Sequence, residues 1–160
     1  MRWDEFASAC PDIAEASAER FRRRELCMLG TLRADGSPRI SPCELDFAAG
    51  ELLLGMMWRS RKALDLLHDP RCVLHTCTTD RMGTEGDAKI YADAVDVRDA
   101  ELRETYRAAV RARIDWAPDE PNFHVFAVDV RSAGFISFAE PKTALSWDPV
   151  RGTRTLPFPD

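Results

Sequence analysis

From Leu26 onward the chain is a series of short apolar runs, each closed by turn residues, a spacing that dictates antiparallel β-structure over much of its length. Leu26–Leu32 is the first strand, and Arg33-Ala34-Asp35-Gly36-Ser37 a hairpin loop in which Asp35-Gly36 supplies the positive φ such turns demand. Pro38–Phe47 is the second strand, with Ser41, Cys43, Leu45 and Phe47 on one face. Pro42 has no N–H to give a ladder, so an edge or bulge is expected there, with backbone left open to a ligand. The third strand, Glu51–Met57, is apolar on both parities and needs both faces covered. One cover is the core; in so short a chain the other is expected to be a second subunit. Cys72–Cys77, Asp87–Val97 and Phe123–Val130 follow as strands, and Gly134–Phe138 either continues the last or adds another.

Helices are expected at the margins. Residues 2–24 read as two helices, with Pro11 beginning the second and Ile13, Ala14, Ala18 and Phe21 forming its apolar stripe. Residues 99–113 form another, capped by Asp99, with Leu102, Tyr106 and Val110 at helical spacing. The segment 78–86 reads as a polar loop, and the proline-bearing tail from Ala144 to Asp160 as extended chain. The fold class is therefore mainly β with flanking helices, a six-stranded antiparallel split or closed barrel in one domain spanning residues 1–160. A formal charge of −5 speaks against a nucleic-acid partner, and no apolar run approaches the ~18 residues of a membrane span. The five cysteines include no C-x-x-C pair, which suits a reduced, cytoplasmic protein; His75 and Cys77 share a strand face with no further ligand at metal spacing.

The stretch Ser60-Arg61-Lys62-Ala63-Leu64-Asp65-Leu66-Leu67-His68-Asp69-Pro70 is a short helix with a serine N-cap and a proline stop. Its two cations occupy the first turn, where the helix dipole is positive and the backbone N–H groups are unpaired. Either they are solvated on a surface helix, or an anion sits among Ser60, Arg61 and Lys62 and turns a misplaced charge into a binding site.

The order strand, Asp-Gly turn, strand, turn, strand, Ser-Arg-Lys helix, Asp-Pro, strand resembles the pyridoxamine 5'-phosphate oxidase-like family of flavin-binding split barrels. The residues that carry it are Leu29 to Arg39, Ser60 to Leu66, Asp69-Pro70-Arg71 and Gly86-Asp87-Ala88-Lys89-Ile90, and the likeness runs from about Leu26 to Trp147. It implies a six-stranded Greek-key split barrel, a homodimer, and FMN in a groove at each end of the interface. Arg61 and Lys62, with Ser60, would grip the flavin phosphate, while Ser41, Pro42 and Cys43 would lie along the flavin. Gly55 and Met56 end the third strand, where a small residue lets backbone approach the ring; Lys89 and Trp147 complete the implied cofactor set. True pyridoxamine phosphate oxidases carry an Arg-x-His element after the C-terminal tryptophan, and here residues 148–160 contain no histidine, which sets this chain apart from them.

The function expected is that of an FMN-dependent oxidoreductase acting on an unidentified small molecule. In such an enzyme the flavin carries the electrons and the protein orients it, so no catalytic triad is needed. His75, His124 and Asp87 are candidate proton donors and Cys43 a candidate ring contact, each with an ordinary strand role as the competing account. The alternatives are a deazaflavin-coenzyme-dependent reductase on the same barrel, or a non-catalytic flavin- or haem-binding module.

Overall fold

The computed structural model describes every residue except Thr79, Pro159 and Asp160, so part of the expected 78–86 loop and the end of the expected extended tail lie outside the described residues. Two helices, α1 (Trp3–Ala9) and α2 (Pro11–Arg24), precede β1 (Leu26–Leu32), β2 (Pro38–Ala48) and β3 (Glu51–Met57). Then come α3 (Arg61–His68), β4 (Arg71–Thr76), β5 (Asp87–Asp96), α4 (Ala100–Ile114) and β6 (Phe123–Ser137), with β7 (Thr143–Asp148) and β8 (Gly152–Thr155) at the end. All pairings are antiparallel in the order β3-β2-β1-β4-β5-β6-β7-β8, and an added β3–β6 pairing closes the first six strands into a barrel. The six-stranded barrel with flanking helices is as the sequence implies.

Alternation builds the barrel. Cys27, Leu29 and Thr31 of β1 point inward, as do Cys43 and Leu45 of β2, while Met28, Ile40 and Pro42 point out. The α2 stripe of Ile13, Ala14, Ala18 and Phe21 is buried and joins the barrel interior in one core with Trp3 and Phe6. Strand β6 is long enough to serve two partners: residues 123–127 pair with β3, residues 133–137 with β7. A bulge against β5 at Tyr91/Ala92 lets it bend between them.

Two expectations need correction. The second cover of β3 is not another subunit but α4: Leu53 packs with Tyr106, Val110, Phe123 and Val125 in a separate cluster. The apolar pattern of β3 fixes that two covers exist, and the Tyr106/Val110 stripe supplies one from the same chain. The tail, read as extended, folds into the β7–β8 hairpin. Asp148 accepts the N–H groups of Val150 (3.1 Å) and Arg151 (2.9 Å), and Gly152 adopts φ +67°, so a tight turn forms just past Pro149.

Candidate functional site

Helix α3 is fixed before any ligand arrives. Its buried Asp65 accepts hydrogen bonds from Thr31 Oγ1 of β1 (2.8 Å) and Arg39 Nε of β2 (2.6 Å), while Ala63 and Leu66 pack into the core. That ties the helix axis to two barrel strands and engages Arg39 with a carboxylate. The helix starts abruptly: Ser60 is the N-cap, yet its hydroxyl caps nothing, and no acidic residue sits in the first turn. Ser60 Oγ is buried without a hydrogen-bond partner. The first intrahelical bond runs from Leu64 N–H to Ser60 O, so the N–H groups of residues 61–63 precede it. Arg61 is exposed beside them, and Lys62 Nζ donates to the Pro42 carbonyl on β2. An orphaned hydroxyl, two cations and a positive helix end are the features by which helix N-termini bind anions.

From Pro42 a row of directly opposed residues crosses the outer face of the sheet: Pro42, Met28, His75, Lys89, Gly134, Ser146 and Arg154. Its far end lines a cleft of about 590 Å³ between the outer face of β5–β6 and the β7–β8 hairpin. Here Ser146 Oγ and Arg154 Nε are buried and unpartnered, although Arg154 Nη2 pairs with Asp148 at 3.2 Å. Asp87 lies at the cleft wall, with His75 Nε2 at 3.3 Å and Lys89 Nζ at 3.6 Å, neither aligned as a hydrogen bond. His75 Nδ1 is 2.7 Å from the Thr76 carbonyl, which only accepts, so that nitrogen carries its proton and Nε2 faces the carboxylate. The cleft offers an apolar body, with Tyr91, Ile136 and Leu156 among its walls, and cationic and hydroxyl donors at one side.

A model of the pyridoxamine 5'-phosphate oxidase family matches residues 13–137. The chain belongs to that family. A search of curated proteins by sequence found no match. Among solved structures, a pyridoxamine 5'-phosphate oxidase-related, FMN-binding protein from Nostoc punctiforme superposes with a TM-score of 0.67 at 16% identity, covering 94% of this chain and 96% of that one. PhzG from Burkholderia lata, in complex with tetrahydrophenazine-1-carboxylic acid, gives 0.65 at 15% identity, covering 95% and 93%. A haem-binding protein from Mycobacterium smegmatis gives 0.64 at 19% identity; 83% of this chain is covered but only 57% of that one. At such identities the likeness is one of fold.

The family pattern can be followed residue by residue. Ser60, Arg61, Lys62 and Pro42 come together around the start of α3. Ser41 and Cys43, on the opposite parity, point into the barrel, and Cys43 is buried. Met56 lies in the core. The space beside Gly55 is taken by this chain's own Tyr106: an added Cβ would lie 1.7 Å from its Oη, so the close approach that glycine allows is that of α4. Lys89 sits in the outer row. Trp147 turns to the inner face, 3% exposed, with its ring edge-on to Phe6 at 5.0 Å. A family member's tryptophan here is thus a core residue of its own chain. Ser146 and Arg154, the donors of the cleft, lie in a tail whose prolines hide its strands from sequence reading; the alternation of Ala144, Ser146 and Asp148 with Leu145 and Trp147 is the signal the sequence carries.

Proposed function

We propose that this protein is an FMN-binding oxidoreductase acting on a small molecule, in which the start of α3 holds the phosphate of the cofactor. The observation that carries this reading is the buried, unpartnered Ser60 hydroxyl beside Arg61 and Lys62 at a helix N-terminus that lacks any internal cap. The FMN-binding protein of similar fold supports the choice of cofactor. When bound, the flavin supplies the electron transfer. The chain's own part is to hold the phosphate at Ser60, Arg61 and Lys62, keep α3 in place through Asp65, and offer donors in the β7–β8 cleft. The PhzG complex shows that a protein of this fold accepts a carboxylic acid, and Arg154 with Ser146 suits a substrate of that charge.

The outer row also favours a homodimer. Pro42 and Arg154 stand at the two ends of that row, on β2 and β8, so the grip and the cleft are built on different strands, and a two-fold partner would set a cleft beside each grip. The visible spectrum of the purified protein tests the cofactor, read together with the supernatant after heat release. Flavin bands and free FMN are the expected result; a Soret band, or binding of added deazaflavin coenzyme but not FMN, would favour the alternatives. Replacing Arg61 and Lys62 together by alanine should weaken FMN binding by about 100-fold or more, as loss of two charge-assisted contacts requires. Unchanged affinity would remove the α3 site.

A further inference from the structure

We infer that Cys27 and Cys43 are a modification site, a dithiol that peroxide converts to a cross-strand disulfide, and that this bond regulates the anion grip at α3. The regulatory half rests on the reading of Ser60–Lys62 as that grip; the bond itself does not. Cys27 and Cys43 stand directly opposite each other in the β1–β2 ladder, both facing the barrel interior and 0% and 1% exposed. As opposed residues on one face, their Cβ atoms lie about 4.5–5.5 Å apart, which makes the two thiols neighbours in the barrel interior. None of the five cysteines is bonded to another in this state.

The pair is asymmetric in the way that disulfide formation needs. The neighbouring Cys27 thiol and the Lys62 ammonium hold the Cys43 thiol below its ordinary range, while the Cys43 sulfur beside it and burial raise Cys27. Cys43 is therefore the nucleophile. Its thiolate attacks hydrogen peroxide, forming an S–O bond as the O–O bond breaks and hydroxide leaves. That hydroxide takes up the proton Cys43 released, giving the first water; the Cys27 sulfur then displaces the hydroxyl of the Cys43 sulfenic acid, and the Cys27 proton completes the second water. In sum two thiols and one peroxide give one disulfide and two waters. Cys72, also inward on β4, is pushed up to about 12 by burial and stays a thiol. Access comes from the edge of β2: β3 pairs with it only from Glu44 to Ala48, so Cys43 is the first β2 residue with no strand ladder on its other side.

The consequence reaches the grip through one residue. Cβ atoms of opposed residues lie about 4.5–5.5 Å apart, and a disulfide draws them to about 3.8 Å. Pro42 precedes Cys43 and its carbonyl holds Lys62 Nζ. Tightening the strands at Cys43 shifts that carbonyl and with it the Lys62 ammonium.

The test exposes the native protein to hydrogen peroxide, alkylates the remaining thiols after unfolding, and maps the peptides by mass. The expected product has lost two hydrogens, links the Cys27 and Cys43 peptides, and leaves Cys10, Cys72 and Cys77 alkylated. Cys43→Ala and, should that variant not fold, Cys27→Ala should not form it, while Cys72→Ala should. Five alkylated cysteines, a different pairing, or Cys43 carried to sulfinic acid would overturn the site. FMN affinity of the cross-linked protein should then fall several-fold and return on reduction with dithiothreitol. A cross-link without that change overturns the regulatory half, whereas protein that binds no FMN in either state contradicts the proposed cofactor and leaves the mass result standing.

Discussion

At Gly55 one methyl group decides whether α4 can lie on the barrel. An added Cβ would fall 1.7 Å from Tyr106 Oη and 2.5 Å from its Cζ, too close for either to stay, and Tyr106 is 3% exposed with little freedom to retreat. Gly55→Ala should therefore lose about 1–3 kcal/mol in urea unfolding, and adding Tyr106→Phe should recover part of it by removing the nearest atom. No recovery would mean the strand, not the phenol, takes the strain. The same glycine shows a limit of sequence reading, because a missing side chain marks a close approach without saying what approaches: a flavin ring and a tyrosine from α4 leave the same sign. His124 illustrates a second one-residue effect. Its ring is stacked under Trp58 at 4.6 Å, its Nε2 is buried without a partner, and burial depresses its pKa below the usual 6.5. The folded state thus takes up this proton less readily than the unfolded chain. The contribution is present above about pH 6.5 and is lost as the pH falls through the folded value. Stability measured from pH 7.5 to 5 should decline, and His124→Gln should make the decline shallower; a slope identical in the two proteins would assign it to other groups.

Helix α3 works as an element because its two ends answer to different forces. Its start is electrostatically unsatisfied, with Arg61 and Lys62 against the positive dipole end, while its middle is secured by Asp65 to Thr31 and Arg39. The anchor can be weakened without touching the grip. Asp65→Ala leaves the largely buried Arg39 guanidinium, 24% exposed, and the buried Thr31 hydroxyl without their acceptor, and should cost about 2 kcal/mol of stability. It should also lower FMN affinity, because the helix end would no longer be held at a fixed distance from Pro42, and isothermal titration would show the loss with Arg61 and Lys62 intact. Stability reduced with affinity unchanged would mean that packing of Ala63 and Leu66 alone orients the helix. This element was legible in the sequence because its signals are local: a serine, two cations, an apolar spacing and Asp-Pro fall within eleven consecutive residues. The β7–β8 hairpin was not, since Pro149 and Pro157 read as extended chain and each strand is short, β8 having only four residues. Its turn depends on Asp148 accepting two N–H groups, a local contact with a weak sequence mark. The partner of β3 was hidden for a third reason: two apolar parities state how many covers are needed and not which segment provides them.

The whole molecule carries more surface than a compact monomer of its mass requires. A chain of 18.0 kDa is expected to expose about 8,050 Å², and this one exposes 8,929 Å². Part of the outer face explains why: Ile40 of β2, Met28 of β1 and Tyr91 of β5 are exposed across the strand order β2-β1-β4-β5, flanking Gly30 and Val73 in one apolar region beside the row from Pro42 to Arg154. An apolar region next to both halves of a separated site is where a two-fold partner would do most, since burying it would also carry each cleft toward the other chain's phosphate grip. Ile40 is 71% exposed on the outward parity of β2, so Ile40→Glu should leave the fold of a single chain intact while placing a charge, and its symmetry mate, in the contact. Sedimentation equilibrium should find the parent protein dimeric and the variant monomeric, with unchanged far-ultraviolet circular dichroism and FMN affinity reduced at least tenfold. The decisive outcome is the combination. A monomeric variant with full affinity would place the whole cofactor site within one chain and leave the β7–β8 cleft to some other ligand. A parent protein that is itself monomeric would give the exposed face another purpose, and the proposed pairing of grip and cleft would fail with it.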